Sequence, residues 1–184
     1  MNKLPALLLA ILPLTAQAAE YASVLTDKSA VTFVSKQMNV PVEGKFRKFA
    51  AQLNFDPAKP EAAHAQIDIE LASIDAGSNE ANDEVKSKAW FNVKEFPAAR
   101  FVSAGLKALG GGRFEATGKL TIKGRSRDVT APFTFKQEGA NAVLDGAFTL
   151  KRLQYGIGEG MWSDTDTVAD DVQIRFHILA APKK

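Results

Sequence analysis

The sequence predicts an all-β protein, an up-and-down antiparallel barrel of eight strands with one short helix inserted between the third and fourth strands. Apolar and polar residues alternate along most of the chain, which is the period of a strand with one buried face. Short glycine-containing turns separate these segments, so consecutive strands are antiparallel neighbours. Barrel closure removes the edges of the sheet, and a two-sheet sandwich is the alternative architecture.

Eight segments carry the alternating pattern, each with its apolar residues on one face. They cover residues 30–35, 46–55, 65–71, 101–103, 114–122, 129–135, 144–150 and 168–178. Between the first two, residues 40–44 are predicted to form a turn or bulge. The reason is that Pro41 has no N–H for a sheet ladder and Gly44 tolerates unusual backbone angles.

The internal stretch with helical signals lies between the third and fourth strands. Ser78 and Asn79 are good N-cap residues, acidic residues follow in the first turn and lysines in the last, which predicts a helix over residues 79–88. Trp90 and Phe91 come next and are too apolar for an open loop. The helix therefore closes one end of the barrel, either as a seal over a packed core or as the gate of a ligand cavity.

Residues 1–18 have the features of a cleavable signal peptide. Lys3 precedes an unbroken apolar run, and Ala16 and Ala18 occupy the small-residue positions of a cleavage site. This predicts export to the periplasm and a mature domain over residues 19–184, long enough for a sizeable core. The chain has no cysteine, so the exported fold relies on its apolar core and not on disulfides.

The composition excludes several classes of function. The formal net charge is only +2 and the basic residues form no large cluster, so no nucleic-acid partner is predicted. With no cysteine, two separated histidines (His64 and His177) and no Gly-x-Ser-x-Gly motif, no catalytic residue is predicted. Asp164 and Asp166 lie in a stretch that lacks the glycine and glutamate of an EF-hand calcium loop, which favours a solvated loop over a metal site.

The inward positions of the predicted strands combine large and small side chains. The large ones are Phe33, Phe49, Phe55, Phe101, Phe114, Phe133, Phe135, Phe148 and Phe176, and the small ones are Ala51, Ala65, Ala116, Gly118, Ala131 and Gly146. Small residues fit the taper of a packed barrel, and they fit an apolar cavity for one small ligand equally well. The pattern leaves both interiors open.

Four stretches, taken in this order, resemble the YceI-like family of exported, lipocalin-like barrel proteins. They are DKSAVTF at 27–33, IDAG at 74–77 continuing to WFNVKEFP at 90–97, GKLTIKG at 118–124, and KRLQYGIG at 151–158. The resemblance covers nearly the whole mature chain. It implies an antiparallel barrel around a long hydrophobic channel that holds a polyisoprenoid or similar long-chain amphiphile, with no cofactor and no established catalytic activity.

The chain departs from the family pattern in the central helix. Many members have Arg-Asp-x-His-Leu there, whereas this chain has NDEV at 82–85. A basic residue and a histidine are missing near the expected mouth, which weakens the charge complementarity to a pyrophosphate head group and leaves a neutral head as an equal candidate. A neutral head such as a quinone ring or an amide suits a mouth lined by Asn82, Tyr155 and Trp162, because neutral heads need only hydrogen bonds and stacking.

The predicted ligand site lies inside the barrel and at its mouth. Its residues are Phe33, Phe46, Phe49, Asn82, Val85, Trp90, Phe101, Phe114, Ala116, Ala131, Phe133, Phe135, Phe148, Tyr155 and Trp162. The predicted ligand is an isoprenoid quinone or a polyprenyl lipid, held non-covalently by a monomer or dimer for transport or storage. The alternatives are a non-catalytic interaction or stress-response module with a packed barrel and, less favoured, an enzyme acting on such a lipid.

Two groups of basic residues have predicted surface roles. Lys123, Arg125 and Arg127 lie at the tip of a predicted hairpin, where such a cluster is usually a soluble turn. The alternative is transient contact with anionic lipid head groups while cargo is loaded or released. Lys151 and Arg152 are expected to pair with the acidic residues of the last loop at the surface, where ion pairs contribute little to stability.

Overall fold

The computed structural model describes residues 19–183, which form a curled antiparallel sheet with one α-helix. The strands are β1 (Tyr21–Val24), β2 (Ala30–Gln37), β3 (Val40–Phe46), β4 (Phe49–Asn54), β5 (His64–Glu70), β6 (Ile74–Asp75), β7 (Ala98–Gly110), β8 (Arg113–Ile122), β9 (Arg125–Glu138), β10 (Asn141–Lys151) and β11 (Asp171–Pro182). Helix α1 spans Asn79–Lys86. The predicted signal peptide lies outside the described residues and stays a prediction.

All of these strands belong to one sheet, in the order β4-β5-β7-β8-β9-β10-β11-β2-β3-β6, with β1 paired to β11. The all-β antiparallel prediction is thereby confirmed, and one continuous sheet takes the place of the two-sheet sandwich. The sheet curls back on itself at β1, because Tyr21 exchanges both backbone hydrogen bonds with Phe55 just after β4 (2.8 and 3.0 Å). The first strand therefore joins two distant parts of the barrel wall.

The predicted count of eight strands is not confirmed, since the described residues contain eleven. Strands β1 and β6 are too short to show a two-residue period, and β3 occupies the residues predicted as a turn. Pro41 fits in β3 because β6 pairs only with Lys45 and Phe46, so β3 is an edge strand at Pro41. The turn itself lies two residues earlier, where Met38 and Asn39 both adopt positive φ angles (50° and 64°).

The long strands β7 to β10 pair in sequence order through tight turns, as the glycine-containing turns predicted, and β11 pairs with β10 after the longer connection 152–170. The turns β7–β8 and β9–β10 lie at one end of the barrel, which we call the packed end. The turn β8–β9, helix α1 and residues 152–170 lie at the other, which we call the open end. Each end has its own cluster of buried apolar side chains.

Helix α1 begins as predicted and ends two residues early. The Oγ of Ser78 accepts a hydrogen bond from the backbone N–H of Ala81 at 3.2 Å, which caps the first turn. After Lys86 the backbone of Ser87 is extended, and its carbonyl accepts from the N–H of Trp90 (3.1 Å), which reverses the chain. This reversal packs Trp90 and the residue after it against the core. Within residues 19–183, no helix is long and apolar enough to cross a bilayer.

Candidate ligand-binding site

Two adjoining apolar chambers occupy the interior of the barrel. The larger has a volume of about 380 Å³ and lies beneath α1, and the smaller, of about 140 Å³, lies deeper toward the packed end. Six residues line both chambers and form a waist between them: Val31, Ile69, Ala99, Leu120, Phe148 and Ile174. The larger chamber alone is in the size range of pockets that bind small ligands.

The larger chamber reaches solvent at the open end. Two of its lining residues, Gln37 at the tip of β2 and Glu80 in the first turn of α1, are exposed. Apart from the two indole rings, the other lining residues with polar side chains are Ser35, Glu84 and Arg152. Every other side chain that lines this chamber is apolar. The larger chamber is thus apolar in its interior and polar only near its mouth.

The smaller chamber owes its space to short side chains on adjacent strands. Ala116 of β8 and Ala131 of β9 are direct cross-strand partners, and both are buried and line this chamber. Gly118 and Gly146, also predicted as small inward positions, add no space. The rings of Phe101 and Phe176 lie over these glycines and fill the volume that a side chain would take.

The packed end is filled by aromatic rings. Phe55 is 0% exposed, and its ring centre lies 5.3 Å from that of Phe114, 6.0 Å from that of Phe133 and 5.7 Å from that of Phe135. Tyr21 packs on the same cluster, with its ring centre 5.8 Å from that of Phe135. The sequence was compatible with either a packed core or an apolar cavity, and the structure contains both, one toward each end of the barrel.

The structure brings ten of the fifteen predicted site residues to the chambers. Phe33, Phe46, Val85, Trp90 and Trp162 line the larger chamber, Phe101, Ala116, Ala131 and Phe133 line the smaller one, and Phe148 lines both. Seven of these positions lie on six strands and Val85 lies on α1, whereas Trp90 and Trp162 lie in connections. The alternating pattern was sufficient to place the strand positions on the inner face. Their contact with a ligand stays a prediction.

The other five predicted residues do not line a chamber. The side-chain oxygen of Asn82 accepts a hydrogen bond from the backbone N–H of Ala76 (2.6 Å), so Asn82 fastens α1 to the strand before it and does not line the mouth. Tyr155 is 1% exposed and packs in the apolar cluster of the open end, and burial raises the pKa of its hydroxyl. Phe49, Phe114 and Phe135 belong to the packed end.

Arg152 is the functional-site residue that departs most from its prediction. It is 1% exposed, and its five N–H groups donate to five backbone carbonyls at 2.6–3.0 Å. The acceptors are the carbonyl oxygens of Ile157, Gly158, Trp162, Val168 and Ala169. Burial lowers the pKa of Arg152, and the negative charge of Asp170 opposes that shift. The expected surface ion pair is wrong for Arg152, whereas Lys151 does pair with Asp171 at 2.8 Å.

A weak sequence signal for the buried arginine was present. The connection after it contains Gly156 and Gly158, and a β-carbon on Gly158 would collide with the guanidinium of Arg152. The two carboxylates at the mouth, Glu80 and Glu84, were also missed as lining residues, although their spacing of four places them on one face of α1. Neither signal carries burial information by itself.

The two tryptophans connect α1 to the far wall of the larger chamber. The indole N–H of Trp90 donates to Oε1 of Glu84 at 3.1 Å, and the ring centres of Trp90 and Trp162 are 5.6 Å apart. The guanidinium carbon of Arg152 lies 5.7 Å from the centre of the Trp90 ring, within range of a cation–π contact. Helix, tryptophans and arginine thus form one continuous wall near the mouth.

The basic residues of the turn between β8 and β9 bind other loops of the same protein. The Nζ of Lys123, whose side chain is 9% exposed, donates to the carbonyls of Lys88 (3.0 Å) and Gly156 (2.6 Å) and to Glu159 (2.9 Å). Arg125 also pairs with Glu159, at 3.1 Å. The hydrogen bond from Lys123 is the main reason that the pKa of Glu159 is lowered. This turn therefore ties the wall of the barrel to the loops of the open end.

Aspartates within residues 164–171 accept hydrogen bonds from nearby groups of the same chain. Asp164 accepts hydrogen bonds from the N–H of Asp166 (3.0 Å) and the hydroxyl of Thr167 (2.6 Å), which lower its pKa. Asp170 accepts from the N–H of Leu153 at 2.9 Å. Within residues 19–183, no group of three or more His, Cys, Asp or Glu residues is arranged to hold a metal ion. The loop is thus stabilised by its own hydrogen bonds.

Two sequence relatives match this chain over about two thirds of its length. The "UPF0312 protein" of Azotobacter vinelandii is 33% identical over 120 residues, an alignment that covers 62% of this chain and only 62% of that protein. The "UPF0312 protein" of Pseudomonas putida strain F1 is 33% identical over 131 residues, which covers 67% of this chain and 68% of that protein.

Solved structures share the fold. The crystal structure of BcnA from Burkholderia cenocepacia has a TM-score of 0.84 and 49% sequence identity, covering 86% of this chain and all of BcnA (100%). A polyisoprenoid-binding domain from Saccharophagus degradans has a TM-score of 0.70 at 14% identity, covering 89% of this chain and 99% of that domain, a likeness of fold alone. The sequence model of the YceI-like domain matches residues 23–180, so the chain belongs to the YceI-like family.

Proposed function

We propose that this protein is an exported periplasmic binding protein that holds one long-chain isoprenoid lipid, non-covalently and without a cofactor, for transport or storage. The observation that carries the proposal is the pair of apolar chambers in line, in which the polar lining side chains other than Gln52 all belong to the larger chamber. A molecule with a long apolar tail and a small polar head matches that distribution. The polyisoprenoid-binding domain of similar fold is further support.

The chambers suit the tail of such a lipid. Burial of an apolar chain contributes roughly 25 cal/mol per Å² removed from water, before the cost of ordering the chain. Aromatic and branched side chains form the waist, so a flexible tail with methyl branches has contacts on all sides as it passes from one chamber to the next. The tail lies deep and the head stays at the open end.

The mouth suits a neutral head group. An anionic head would face the carboxylates of Glu80 and Glu84. The lining residue with a positive charge is Arg152, and its N–H groups are all occupied by backbone carbonyls. Gln37 and Ser35 offer hydrogen bonds to an uncharged oxygen. We therefore infer an isoprenoid quinone or similar neutral amphiphile in preference to a polyprenyl pyrophosphate.

The first test identifies the cargo. Native mass spectrometry of the exported protein, followed by organic extraction and lipid analysis, is expected to show one lipid per protein that the solvent removes. The matched variant Ala131→Phe fills the smaller chamber and should yield the protein without the lipid. A parent protein that never carries a lipid, and that binds none after delipidation, would favour the interaction module with no cargo.

The second test separates head groups. The chain has two tryptophans and both line the larger chamber, so their fluorescence reports on ligand entry. Delipidated protein is titrated with a short-tailed isoprenoid quinone, and with a polyprenol and a polyprenyl pyrophosphate of equal tail length that compete with it. We expect the pyrophosphate to bind at least about ten-fold more weakly than the alcohol. Each 1.4 kcal/mol of unfavourable electrostatic free energy raises the dissociation constant by a factor of about ten. Equal affinities would contradict the neutral-head inference.

The compartment and the absence of turnover are tested separately. If the protein is exported and cleaved after Ala18, the intact mass of the periplasmic product should equal that of a chain starting at Ala19. A periplasmic product that retains residues 1–18 would contradict the cleavage. Incubation of the loaded protein followed by lipid analysis should return the lipid unchanged. A chemically altered lipid would favour the enzyme.

A further inference from the structure

Three of the four large apolar side chains that are highly exposed within residues 19–183 lie at the open end. They are Met38 (72% exposed), Val40 (62%) and Met161 (84%), which we call the apolar rim; the fourth, Leu109 (42%), lies at the packed end. Exposed apolar side chains that are grouped, as opposed to scattered, mark an interaction site.

Backbone contacts bring the members of the apolar rim to the same mouth. The N–H of Met38 donates to the carbonyl of Thr167 at 2.9 Å, and Gln37 pairs with Val168, so the β2–β3 turn lies against the loop that follows Trp162. Met161 directly precedes Trp162, which lines the larger chamber, as does Gln37. The apolar rim therefore borders the opening through which a ligand enters or leaves.

The backbone holds Met38 of this turn in a conformation that its side chain does not favour, whereas Asn39 tolerates it. Met38 has a φ of 50° and Asn39 a φ of 64°, and the left-handed region is uncommon for residues such as methionine. Glycine would relieve the strain, yet it would remove the exposed side chain. Strained, over-determined turns of this kind cluster at functional sites.

The charges near the apolar rim indicate what kind of surface it fits. Residues 37–42 and 160–163 contain no charged side chain, so both tips can leave water without desolvating a charge. The charged residues that flank these tips are Lys36 and Glu43 on the β2–β3 hairpin and Glu159 and Asp164 on the loop. Three are acidic and one is basic, so the rim has no net attraction to an anionic surface. The basic turn at Lys123 is occupied by Glu159. The charge pattern matches the interface of a neutral, zwitterionic bilayer.

We propose that the apolar rim inserts into the interface of a zwitterionic phospholipid bilayer, so that the lipid passes between membrane and chamber without crossing water. This inference rests on the proposed function, and it assigns membrane contact to Met38, Val40 and Met161 in place of the basic turn. The flexible thioether side chains of methionine adapt to irregular apolar surroundings such as the head-group boundary. Interfacial binding of this kind grows with the apolar area that is buried.

The test uses the delipidated full-length exported protein and vesicles of phosphatidylcholine that contain a short-tailed isoprenoid quinone. The variant Met38→Ser/Val40→Ser/Met161→Ser removes the apolar rim without changing charge, and Leu109→Ser is the matched control at the packed end. We expect vesicle co-flotation to fall by at least about ten-fold in the rim variant and to be unchanged in the control, because the loss of three apolar side chains removes most of the insertable area. Quinone uptake from vesicles should slow in parallel.

Two measurements keep the inference separate from the proposed function. Titration with quinone in solution should give the same affinity for the rim variant and the parent, since these side chains do not line a chamber; loss of quinone binding by the parent would instead remove the proposed function. Added salt or phosphatidylglycerol should not strengthen co-flotation. The membrane inference is overturned if the rim variant floats like the parent, if flotation requires anionic lipid, or if uptake needs a partner protein and not the bilayer.

Discussion

The two ends of this barrel are stabilised by different kinds of contact. At the packed end, Phe55 and its aromatic neighbours fill the interior with rings at contact distance. At the open end, the interior is hollow, and the loops are held by polar contacts: Arg152 binds five carbonyls and Lys123 binds three acceptors.

The difference shows how a chamber can stay open in water. A hollow apolar interior gives its walls too few contacts, and loops above it would collapse inward if apolar packing alone held them. Hydrogen bonds from a planar, five-donor guanidinium fix the loop geometry from the side. The open end thus uses directional bonds where the packed end uses close packing.

The largest expected effect breaks the polar support of the open end. Arg152→Met removes all five hydrogen bonds and leaves buried carbonyls without donors, which should cost about 4–5 kcal/mol of unfolding free energy. Lys151→Met, which removes only an exposed ion pair, should cost less than about 1 kcal/mol. Urea unfolding of both delipidated variants measures the difference, and equal losses would contradict a structural role for Arg152.

The second prediction compares phenylalanines from the two ends. Phe55→Ala should cost about 3–5 kcal/mol because the ring is fully buried and packs against three other aromatic rings. Phe148→Ala should cost only about 1–2 kcal/mol, since its half-buried ring faces both chambers and so has fewer contacts to lose. Urea unfolding of the delipidated proteins tests the order, and similar costs would mean that the chambers collapse in solution.

The sequence predicted this comparison only in part. A two-residue period is a local property, so the inward faces of β7 to β11 and residues such as Ala116 and Ala131 were accessible to it. The filling of the interior is a non-local property, because Gly118 gives no space only when Phe101 of the neighbouring strand covers it. Alternation therefore predicted which residues face inward, and not where the inside is empty.

The polar parts of the site were harder to predict for a similar reason. Arg152 follows a strand in a charged, glycine-rich sequence, and its burial depends on carbonyls up to seventeen positions later in the chain. Asn82 has the residue type expected at a polar mouth, but its side chain is used by the N–H of Ala76. Hydrogen-bond partners of this kind are set by tertiary structure.

The third prediction adds volume at each end. Ala142→Phe at the packed end, where Ala142 is 0% exposed, should overpack the core and cost about 1–3 kcal/mol or more. Ala131→Phe, and likewise Ala116→Phe, places the new ring in the smaller chamber, so the delipidated protein should keep or gain stability while its lipid is lost. Thermal unfolding must be compared without lipid, because bound ligand raises the melting temperature. Destabilisation of all three variants would contradict an open chamber.

The smallest expected effect concerns the pH dependence of the open end. The pKa of Glu159 is lowered from its ordinary value of 4.5, chiefly by the hydrogen bond from Lys123. Because the pKa of Glu159 is lowered in the folded protein, its carboxylate contributes fully to the free energy of unfolding above pH 4.5. That contribution is lost as the pH falls through the pKa of the folded state. Glu159→Gln should therefore reduce the loss of stability in acid, by less than about 1 kcal/mol because the side chain is half exposed.

Acid titrations of the unfolding midpoint measure this change. The matched control is Glu61→Gln, an exposed glutamate near the start of β5 at the packed end. The two variants should have different slopes below pH 4.5, the ordinary pKa of Glu159, and at neutral pH Glu159→Gln should be the less stable variant by less than about 1 kcal/mol. An unchanged slope for Glu159→Gln would show that its contact with Lys123 does not persist in solution.

The pairing of β1 with β11 has a consequence for the time course of folding. Tyr21 pairs with Pro182, and Lys183 contacts Glu20 at 3.0 Å, so the earliest and latest parts of the described chain meet in one ladder. Contacts between such distant positions carry a large loop-closure entropy and slow the search for the native state, to roughly milliseconds to seconds for domains of this topology. The meander β7 to β10 can form early from neighbouring hairpins. Since β11 pairs with β1, β2 and β10, we expect its docking to be the late step that closes the sheet.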